Sequence, residues 1–150
     1  IKATRLHAQT LLTEMNNSYP EIPETPEEVK SAVASGKNLV MGGLVPGYST
    51  DAVAATVAEL LDADLYIATT VDGIYDSDPE ENPEAEKFEE ISIEELLEIT
   101  GGSNEPGVYS VIDEFAVRII ERSEIETKIF RADLENIERP EKAESTEIVH

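Results

Sequence analysis

Residues 40–61 combine glycines, hydroxyls and an acid at the start of a helical pattern, in the sequence VMGGLVPGYSTDAVAATVAELL. The residues concerned are Gly42, Gly43, Pro46, Gly47, Ser49, Thr50 and Asp51. Where a strand turns through glycines into a helix, backbone N–H groups point outward and the helix dipole favours an anion. Because glycines also let the backbone approach a ligand, this segment indicates a phosphate-binding loop. An ordinary strand–turn–helix connection would show the same pattern, since the spacing matches neither a Walker A motif nor GxGxxG.

A second candidate loop covers residues 69–79 and has the sequence TTVDGIYDSDP. Gly73 permits a tight turn there, and Tyr75 can stack on a planar ring or pack under the loop. Asp72, Asp76 and Asp78 place three acids within seven residues, but their spacing is not that of an EF-hand. Turn formation by Asp before Gly or Pro explains these acids equally well.

Length, composition and charge restrict the class of protein. With 150 residues, 40% of them apolar, the chain can form one α/β domain or part of a larger one. The net charge of −22 argues against binding to nucleic acid or an anionic membrane, and indicates a solvated acidic surface or adaptation to salt. There is no cysteine, and His7 and His150 lie far apart, so we expect no disulfide and no histidine-based metal site. No apolar run could span a membrane and no signal-peptide pattern is present, which favours a cytoplasmic protein.

Helix and strand patterns alternate along the chain, which predicts an α/β fold, a three-layer sandwich with a mainly parallel sheet. Predicted helices cover residues 1–15, 26–35, 51–61, 93–100 and 112–123, with a short helix or turn at 133–137. Predicted strands cover residues 37–41, 65–69 and 127–130, with a closing edge strand at 147–149 and a polar loop at 101–110. Helix 51–61 between two strands predicts a right-handed crossover. Ligands bind beyond the carboxyl ends of parallel strands, so both candidate loops should open on one edge.

Capping residues and apolar faces define these helices further. We expect a capping box in which Thr25 precedes Pro26 and Glu28, and a second one formed by Ser92 and Glu95. Ser49 or Thr50 is expected to cap helix 51–61, which is apolar nearly all round and should be buried against the sheet. The expected apolar side of helix 112–123 consists of Phe115, Ala116, Ile119 and Ile120.

Residues 42–79 as a whole, GGLVPGYSTDAVAATVAELLDADLYIATTVDGIYDSDP, resemble the paired motifs of the amino acid kinase superfamily, and most closely the archaeal type of UMP kinase. That family shows GG-x-x-PG-H/Q-[ST]-TDA-x-AA, then a strand, then T-N-VDG-[VI]-Y-x-x-DP. Residues 110–130 resemble its S-x-x-D-x-x-A-x-K-[IL]-I-E-RSGI-x-T segment. Residues 1–12 resemble its IxxTRLNAxxL helix, and residues 146–149 its closing strand.

The resemblance implies phosphoryl transfer from ATP to UMP with Mg²⁺, in pyrimidine nucleotide biosynthesis, by a homo-oligomer. By position, the residues on the UMP side would be Gly43, Leu44, Val45, Pro46, Gly47, Tyr48, Ser49 and Thr50. Thr69, Thr70, Tyr75 and Asp78 would lie against ATP. Asp51 would order the catalytic centre by holding a lysine ammonium or a metal-bound water. A first-turn acid favoured by the helix dipole is the alternative for Asp51, and no residue is assigned as a metal ligand.

The resemblance covers the C-terminal two-thirds of such an enzyme, as one partial domain of residues 1–150. The family's N-terminal strand and glycine-rich loop, with a lysine that meets the transferred phosphate, have no counterpart in the sequence. We therefore expect little or no kinase turnover, because the main cation for the transferred charge is missing. The alternatives are a nucleotide-binding, storage or regulatory module of the same superfamily, and a kinase for another small acceptor.

Overall fold

The computed structural model describes residues 1–101 and 111–150, which are built around one four-stranded sheet. The helices are α1 (Lys2–Glu14), α2 (Pro26–Val33), α3 (Thr50–Leu61), α4 (Ile93–Gly101), α5 (Glu114–Ser123) and α6 (Leu134–Glu138), with a 3₁₀ turn at Pro140–Lys142. The strands are β1 (Leu65–Thr69), β2 (Glu90–Ser92), β3 (Thr127–Arg131) and β4 (Ser145–Val149). Apart from Gly101, the predicted polar loop at 101–110 lies outside the described residues. None of the described helices has the length and apolar character needed to cross a membrane.

The sheet has the strand order β1-β3-β4-β2. β1 pairs with β3 in parallel, β2 pairs with β4 in parallel, and the two pairs meet along an antiparallel contact between β3 and β4. Parallel strands need long crossover connections, and here α4 and α5 lie in the chain between β1 and β3. The predicted α/β class with a mainly parallel sheet is confirmed.

One face of the sheet forms the core. The register places Ile67 beside Ile129 and Ile129 beside Thr146, while Ile148 lies beside Ile91. The isoleucine side chains are buried in one cluster with residues of α3, α4 and α5. Helix α5 contributes Ile119 and Ile120, and α4 contributes Leu96. Thr146 is fully buried beside them. Full burial of an Ile or Leu side chain stabilises a fold by about 1.5–3 kcal/mol, so this face holds the helices in place.

Helix caps follow the sequence closely. The Glu95 N–H donates to Ser92 Oγ at 3.2 Å, and the Ser92 N–H donates back to the Glu95 carboxylate at 3.3 Å, which confirms that capping box. Thr25 accepts from the Glu28 N–H at 3.2 Å, as predicted. The Glu28 carboxylate, however, accepts from the Glu24 N–H rather than closing the box on Thr25.

The predicted strand at residues 37–41 is wrong. Asn38 makes one isolated β-bridge with Ser18. The Asn38 N–H donates to the Asn17 carbonyl at 3.0 Å, and the Tyr19 N–H donates to the Asn38 carbonyl at 2.8 Å. The apolar residues that follow bury Val40 without joining a ladder in the described chain. An apolar run signals burial, whereas a strand also needs a neighbour, so the predicted crossover from 37–41 to β1 is not formed.

Three further expectations need correction. The predicted edge strand at 147–149 is β4, which lies inside the sheet, because the unpredicted strand β2 pairs with its outer side. Phe115 is 44% exposed rather than in the core, and Val117 is fully buried instead. Helix α3 buries Ala52, Ala55 and Ala58, but it packs mainly on α5, and its other side is only partly covered.

That other side of α3 lines an apolar groove of about 660 Å³. The groove is lined by Val53, Val57 and Leu61 of α3, by residues of α1 such as Leu11, and by the extended segment 39–43. The groove reaches Leu65 at the start of the edge strand β1. The apolar composition of α3 therefore reflects packing on α5 and this groove more than packing on the sheet.

Candidate functional site

The two glycines that open the first loop are held by helix α1. A Cβ atom at Gly42 would lie 2.7 Å from the Arg5 backbone nitrogen, so a side chain there cannot be accommodated without movement of α1. The Gly43 N–H donates to Thr4 Oγ1 at 3.0 Å, and the Gly43 carbonyl accepts from Arg5 Nε at 3.1 Å. Gly42 and Gly43 thus serve close packing on α1, and the buried Gly43 N–H is already used. The expectation that these two glycines admit a ligand is not supported by these contacts.

The exposed part of the loop begins at Val45 and turns at Gly47. Gly47 has φ +90°, in the region that favours glycine, and a Cβ there would meet open space. The Tyr48 N–H donates to the Val45 carbonyl at 3.3 Å and closes the turn. Val45 and Tyr48 are exposed, so this turn offers backbone to a ligand where the two earlier glycines do not.

Helix α3 begins directly after this turn. Ser49 is its N-cap and accepts from the Ala52 N–H at 2.9 Å, which settles the predicted choice between Ser49 and Thr50. Asp51 lies in the first turn, where the helix dipole favours a negative charge. Burial raises the pKa of the Asp51 carboxyl above its usual value, and the negative charge of Asp113 raises it further.

Asp113 is the site residue that sequence reasoning missed. It is the N-cap of α5, and its Oδ1 accepts from the N–H groups of Phe115 at 3.0 Å and Ala116 at 3.1 Å. Its other oxygen accepts a close hydrogen bond from the Ser49 hydroxyl. An Asp just before an amphipathic run is an N-cap signal, so the cap was predictable, but its contact across 64 residues was not.

A cleft of about 460 Å³ opens beside these two helix starts. It is lined by Asp51, Thr100, Val111, Ile112, Asp113 and Glu114. Asp113 is occupied as a cap, and Glu114 pairs with Arg118 at 2.6 Å. Of the cleft-lining residues that the structure describes, Asp51 is the remaining carboxylate, and carboxylate oxygen is the ligand type that Mg²⁺ prefers. Among the described residues no group of three or more acids or histidines could hold a metal by itself.

The second loop divides into two parts. Thr69 and Thr70 line a depression of about 580 Å³ together with Arg131, Ala132 and Asp133, at the carboxyl ends of β1 and β3. This is where ligands bind in open α/β sheets. The Thr70 carbonyl accepts from Arg131 Nε at 3.3 Å.

Tyr75 and Asp78 are engaged within their own loop. The Tyr75 hydroxyl donates to Asp72 Oδ1 at 2.9 Å, and Asp78 accepts from the Glu80 N–H at 2.9 Å as a turn-forming acid. Thr69 and Thr70 thus line one depression, whereas Tyr75 and Asp78 stabilise their own loop. Contacts of all four with one ligand remain a prediction.

A partly buried lysine fixes this loop to the sheet. Lys87 Nζ donates to Asp72 Oδ2 at 3.2 Å and pairs closely with Glu144. Burial alone would raise the pKa of Asp72, but the hydrogen bonds from Tyr75 and Lys87 outweigh it and hold that pKa below its usual value. The pKa of Lys87 is raised, because its two acidic partners outweigh the burial that lowers it.

Gly73 is needed for space rather than for a turn. A Cβ atom there would come closer to Thr146 Oγ1 than real Cβ atoms approach, and 3.1 Å from Lys87 Cδ. Thr146 Oγ1 also accepts from the Ile74 N–H at 2.8 Å. The loop therefore lies directly against β4, and its position is fixed by the core of the sheet.

The chain belongs to the amino acid kinase family, whose sequence profile matches residues 1–131. More particularly, the chain is similar to archaeal uridylate kinases, as predicted. It is 49% identical over 132 residues to that of Methanococcoides burtonii, a match that covers 86% of this chain and 56% of the relative. It is 44% identical over 143 residues to the uridylate kinase of Methanothermobacter thermautotrophicus, a match that covers 93% of this chain and 64% of the relative. The chain thus spans between about half and two-thirds of the length of these relatives.

Solved structures confirm the amino acid kinase-like fold. The uridylate kinase of Archaeoglobus fulgidus superposes with a TM-score of 0.86 at 36% identity, covering 99% of this chain and 69% of that one. The UMP kinase of Ureaplasma parvum superposes with a TM-score of 0.79 at 21% identity, which shows the fold alone.

Proposed function

We propose that this chain carries nucleotide-binding and catalytic elements of a UMP kinase, which transfers the γ-phosphoryl group of ATP to UMP and yields UDP and ADP. The observation that supports this most directly is the start of α3. A backbone turn at Gly47, the Ser49 cap and Asp51 stand together there, in a fold shared with uridylate kinases. Backbone N–H groups at such a helix start suit the phosphate of a nucleoside monophosphate.

In this proposal residues 43–50 lie on the UMP side, but they act in different ways. Gly43 anchors the loop on α1, the turn Leu44–Tyr48 presents backbone to the ligand, and Ser49 and Thr50 begin the helix behind it. A phosphate oxygen of UMP forms the new bond to the γ-phosphorus as the bond from that phosphorus to the bridging oxygen of ADP breaks. Phosphoryl transfer needs positioning and charge compensation more than covalent chemistry, which a rigid loop and helix start can supply.

On the donor side we assign Thr69 and Thr70, at the carboxyl ends of the strands, to contact with ATP. Tyr75 and Asp78 complete that side by holding the following loop. Asp51 orders the centre from its half-buried position by holding a cation. Mg²⁺ bound with ATP would neutralise charge on the transferred group. Asp51, which has no ion pair among the described residues of the cleft, fits a magnesium site that uses one or two protein carboxylates together with substrate phosphates.

Further parts of the proposal rest on the resemblance. Residues 1–150 are assigned to one amino acid kinase-like domain, which acts in pyrimidine nucleotide biosynthesis in the cytoplasm. The protein is expected to be a homo-oligomer. The 150-residue chain is expected to show little or no turnover.

The proposal is tested by calorimetric titration with UMP and with ATP–Mg²⁺, together with an assay for UDP. Binding of both nucleotides supports it. Binding of ATP without UMP would favour a nucleotide-binding module, and binding of neither would contradict the proposal. UDP formation at the rate of a full-length relative would refute the expected low turnover.

Two glycine variants make the titration specific. Gly47→Ala and Gly36→Ala both place a side chain at positive φ in open space, so each should cost about 1–2 kcal/mol of stability. Only Gly47→Ala should also weaken UMP binding, because Gly36 follows the end of α2 and lies outside the proposed UMP-side residues 43–50. Equal UMP affinity in the two variants would remove residues 44–48 from the UMP site.

A further inference from the structure

Helices α3 and α5 begin side by side and share one chain of hydrogen bonds. The Ala52 N–H donates to Ser49 Oγ at 2.9 Å, and the Ser49 hydroxyl donates to Asp113. Asp113 in turn accepts from the N–H groups of Phe115 and Ala116. One carboxylate therefore caps α5 and fixes the residue that caps α3.

A second contact reinforces the same junction. The rings of Tyr48 and Phe115 meet edge to face with their centroids 4.7 Å apart. Such a pair adds about 0.5–1.5 kcal/mol beyond area burial. Two consecutive loop residues, Tyr48 and Ser49, are thus attached to the start of α5, and this explains why Phe115 faces outward.

The hydrogen-bonding capacity of Ser49 decides what this residue does. A serine hydroxyl has one proton to donate. In the structure that proton is directed to Asp113, and the oxygen accepts from the start of α3. Ser49 therefore cannot donate to a phosphate while the junction is formed, and the loop backbone must provide the donors.

We propose that Asp113 is a positioning residue for the UMP-side loop: by accepting the Ser49 hydroxyl, it fixes the end of the loop against α5 in the conformation that receives the phosphate of UMP. This inference rests on the proposed function. It gives Ser49 a structural task in place of direct phosphate contact, and it adds a residue from a different helix to the acceptor side.

The chain offers a matched control between the same two helices. At their opposite ends Glu59 of α3 accepts hydrogen bonds from Ser123 and Arg122 of α5. Ser123→Ala removes a serine–carboxylate bond between α3 and α5, as Ser49→Ala does, but far from the loop. Asp113→Ser keeps an N-cap residue on α5 and is too short to hold Ser49. Asp113→Asn keeps the cap through its amide oxygen and still reaches Ser49, with its amide nitrogen donating to the Ser49 oxygen.

Calorimetric titrations with UMP and with ATP–Mg²⁺ test the proposal on these variants. Loss of a charge-assisted hydrogen bond predicts that Asp113→Ser and Ser49→Ala each weaken UMP binding about tenfold, with no added loss in the double variant. ATP affinity should stay unchanged, Asp113→Asn should restore most of the UMP affinity, and Ser123→Ala should bind UMP like the parent chain. Equal losses for both nucleotides, or equal losses in Ser49→Ala and Ser123→Ala, would overturn the proposal.

A second measurement decides the case in which the parent chain binds no UMP, an outcome that would count against the proposed function. The Tyr48 N–H donates to the Val45 carbonyl at 3.3 Å, which should slow its hydrogen exchange. If Asp113 positions the loop, hydrogen exchange at this amide should accelerate in Asp113→Ser but not in Ser123→Ala. Unchanged exchange in Asp113→Ser would overturn the positioning role by itself.

Discussion

Replacement of Gly73 by alanine tests whether the second loop is fixed by the sheet. The added methyl group would overlap Thr146 Oγ1, and Thr146 is fully buried. That hydroxyl donates to the Phe88 carbonyl at 2.6 Å and accepts from the Ile74 N–H at 2.8 Å. It cannot move aside without giving up one or both of these bonds. Gly73→Ala should therefore destabilise the fold, although alanine is ordinarily the better residue outside positive φ.

The magnitude follows from these contacts. Overpacking of a well-packed site costs about 1–3 kcal/mol, and each buried partner left without its hydrogen bond costs about 1–3 kcal/mol. The lower entropy of the unfolded alanine chain returns about 0.4–1 kcal/mol. We expect a net loss of about 2–4 kcal/mol, and each kcal/mol lowers the melting temperature of a chain of this size by about 2–4 °C.

Urea denaturation followed by far-ultraviolet circular dichroism measures this loss. Thr146→Ala provides the matched second variant, because it removes the hydroxyl that the methyl group would strike. Gly73→Ala should cost less in the Thr146→Ala background than in the parent, so the double variant is more stable than the sum of the single changes predicts. A single-variant loss below about 0.5 kcal/mol, or strict additivity, would refute the close approach of loop and strand.

Three further changes have effects that the structure fixes in direction. Gly42→Ala should lower stability and loosen α1, since its Cβ would meet the Arg5 backbone, which proteolysis of α1 would reveal. Lys87→Met should lower the stability of the fold at neutral pH. It should also make stability fall less steeply with decreasing pH than in the parent chain. The depressed pKa of Asp72 contributes stability above the usual carboxyl pKa that is lost as the pH falls through the folded value, and urea titrations across pH would show this. Asp51→Asn should raise the stability of the folded chain at neutral pH. Because the folded pKa of Asp51 is raised, this gain should disappear as the pH falls toward the usual carboxyl pKa. In a full-length enzyme, the same change should lower nucleotide turnover.

Features that depend on residues close together in the sequence could be predicted. The Ser92–Glu95 box, the Thr25 cap and strands β1 and β3 depend on residues within one helix turn or one strand, and each appears where the sequence indicated. The same holds for the turn after residue 44, because Gly47 alone adopts the positive φ that the loop needs.

Features decided by distant partners could not be predicted. The strand β2 has three residues and only one buried side chain, Ile91, so its existence depends on β4, which lies more than 50 residues later. Segment 37–41 carries the stronger strand pattern but finds no ladder partner in the described chain. Phe115 faces outward because Tyr48 meets it from another helix start. In each case the local sequence pattern indicates which residues are apolar, but contacts with distant residues decide how they pair or pack.

Charge places a further requirement on the proposed site. The chain carries a net charge of −22, and both proposed nucleotides are anions. Within the cleft, Arg118 offsets Glu114 and the start of α5 offsets Asp113, but burial opposes the charge on Asp51. An ionised Asp51 would repel the phosphate that the neighbouring turn is proposed to bind. In the proposed function Asp51 would therefore assist transfer only with a cation between its carboxylate and the phosphate.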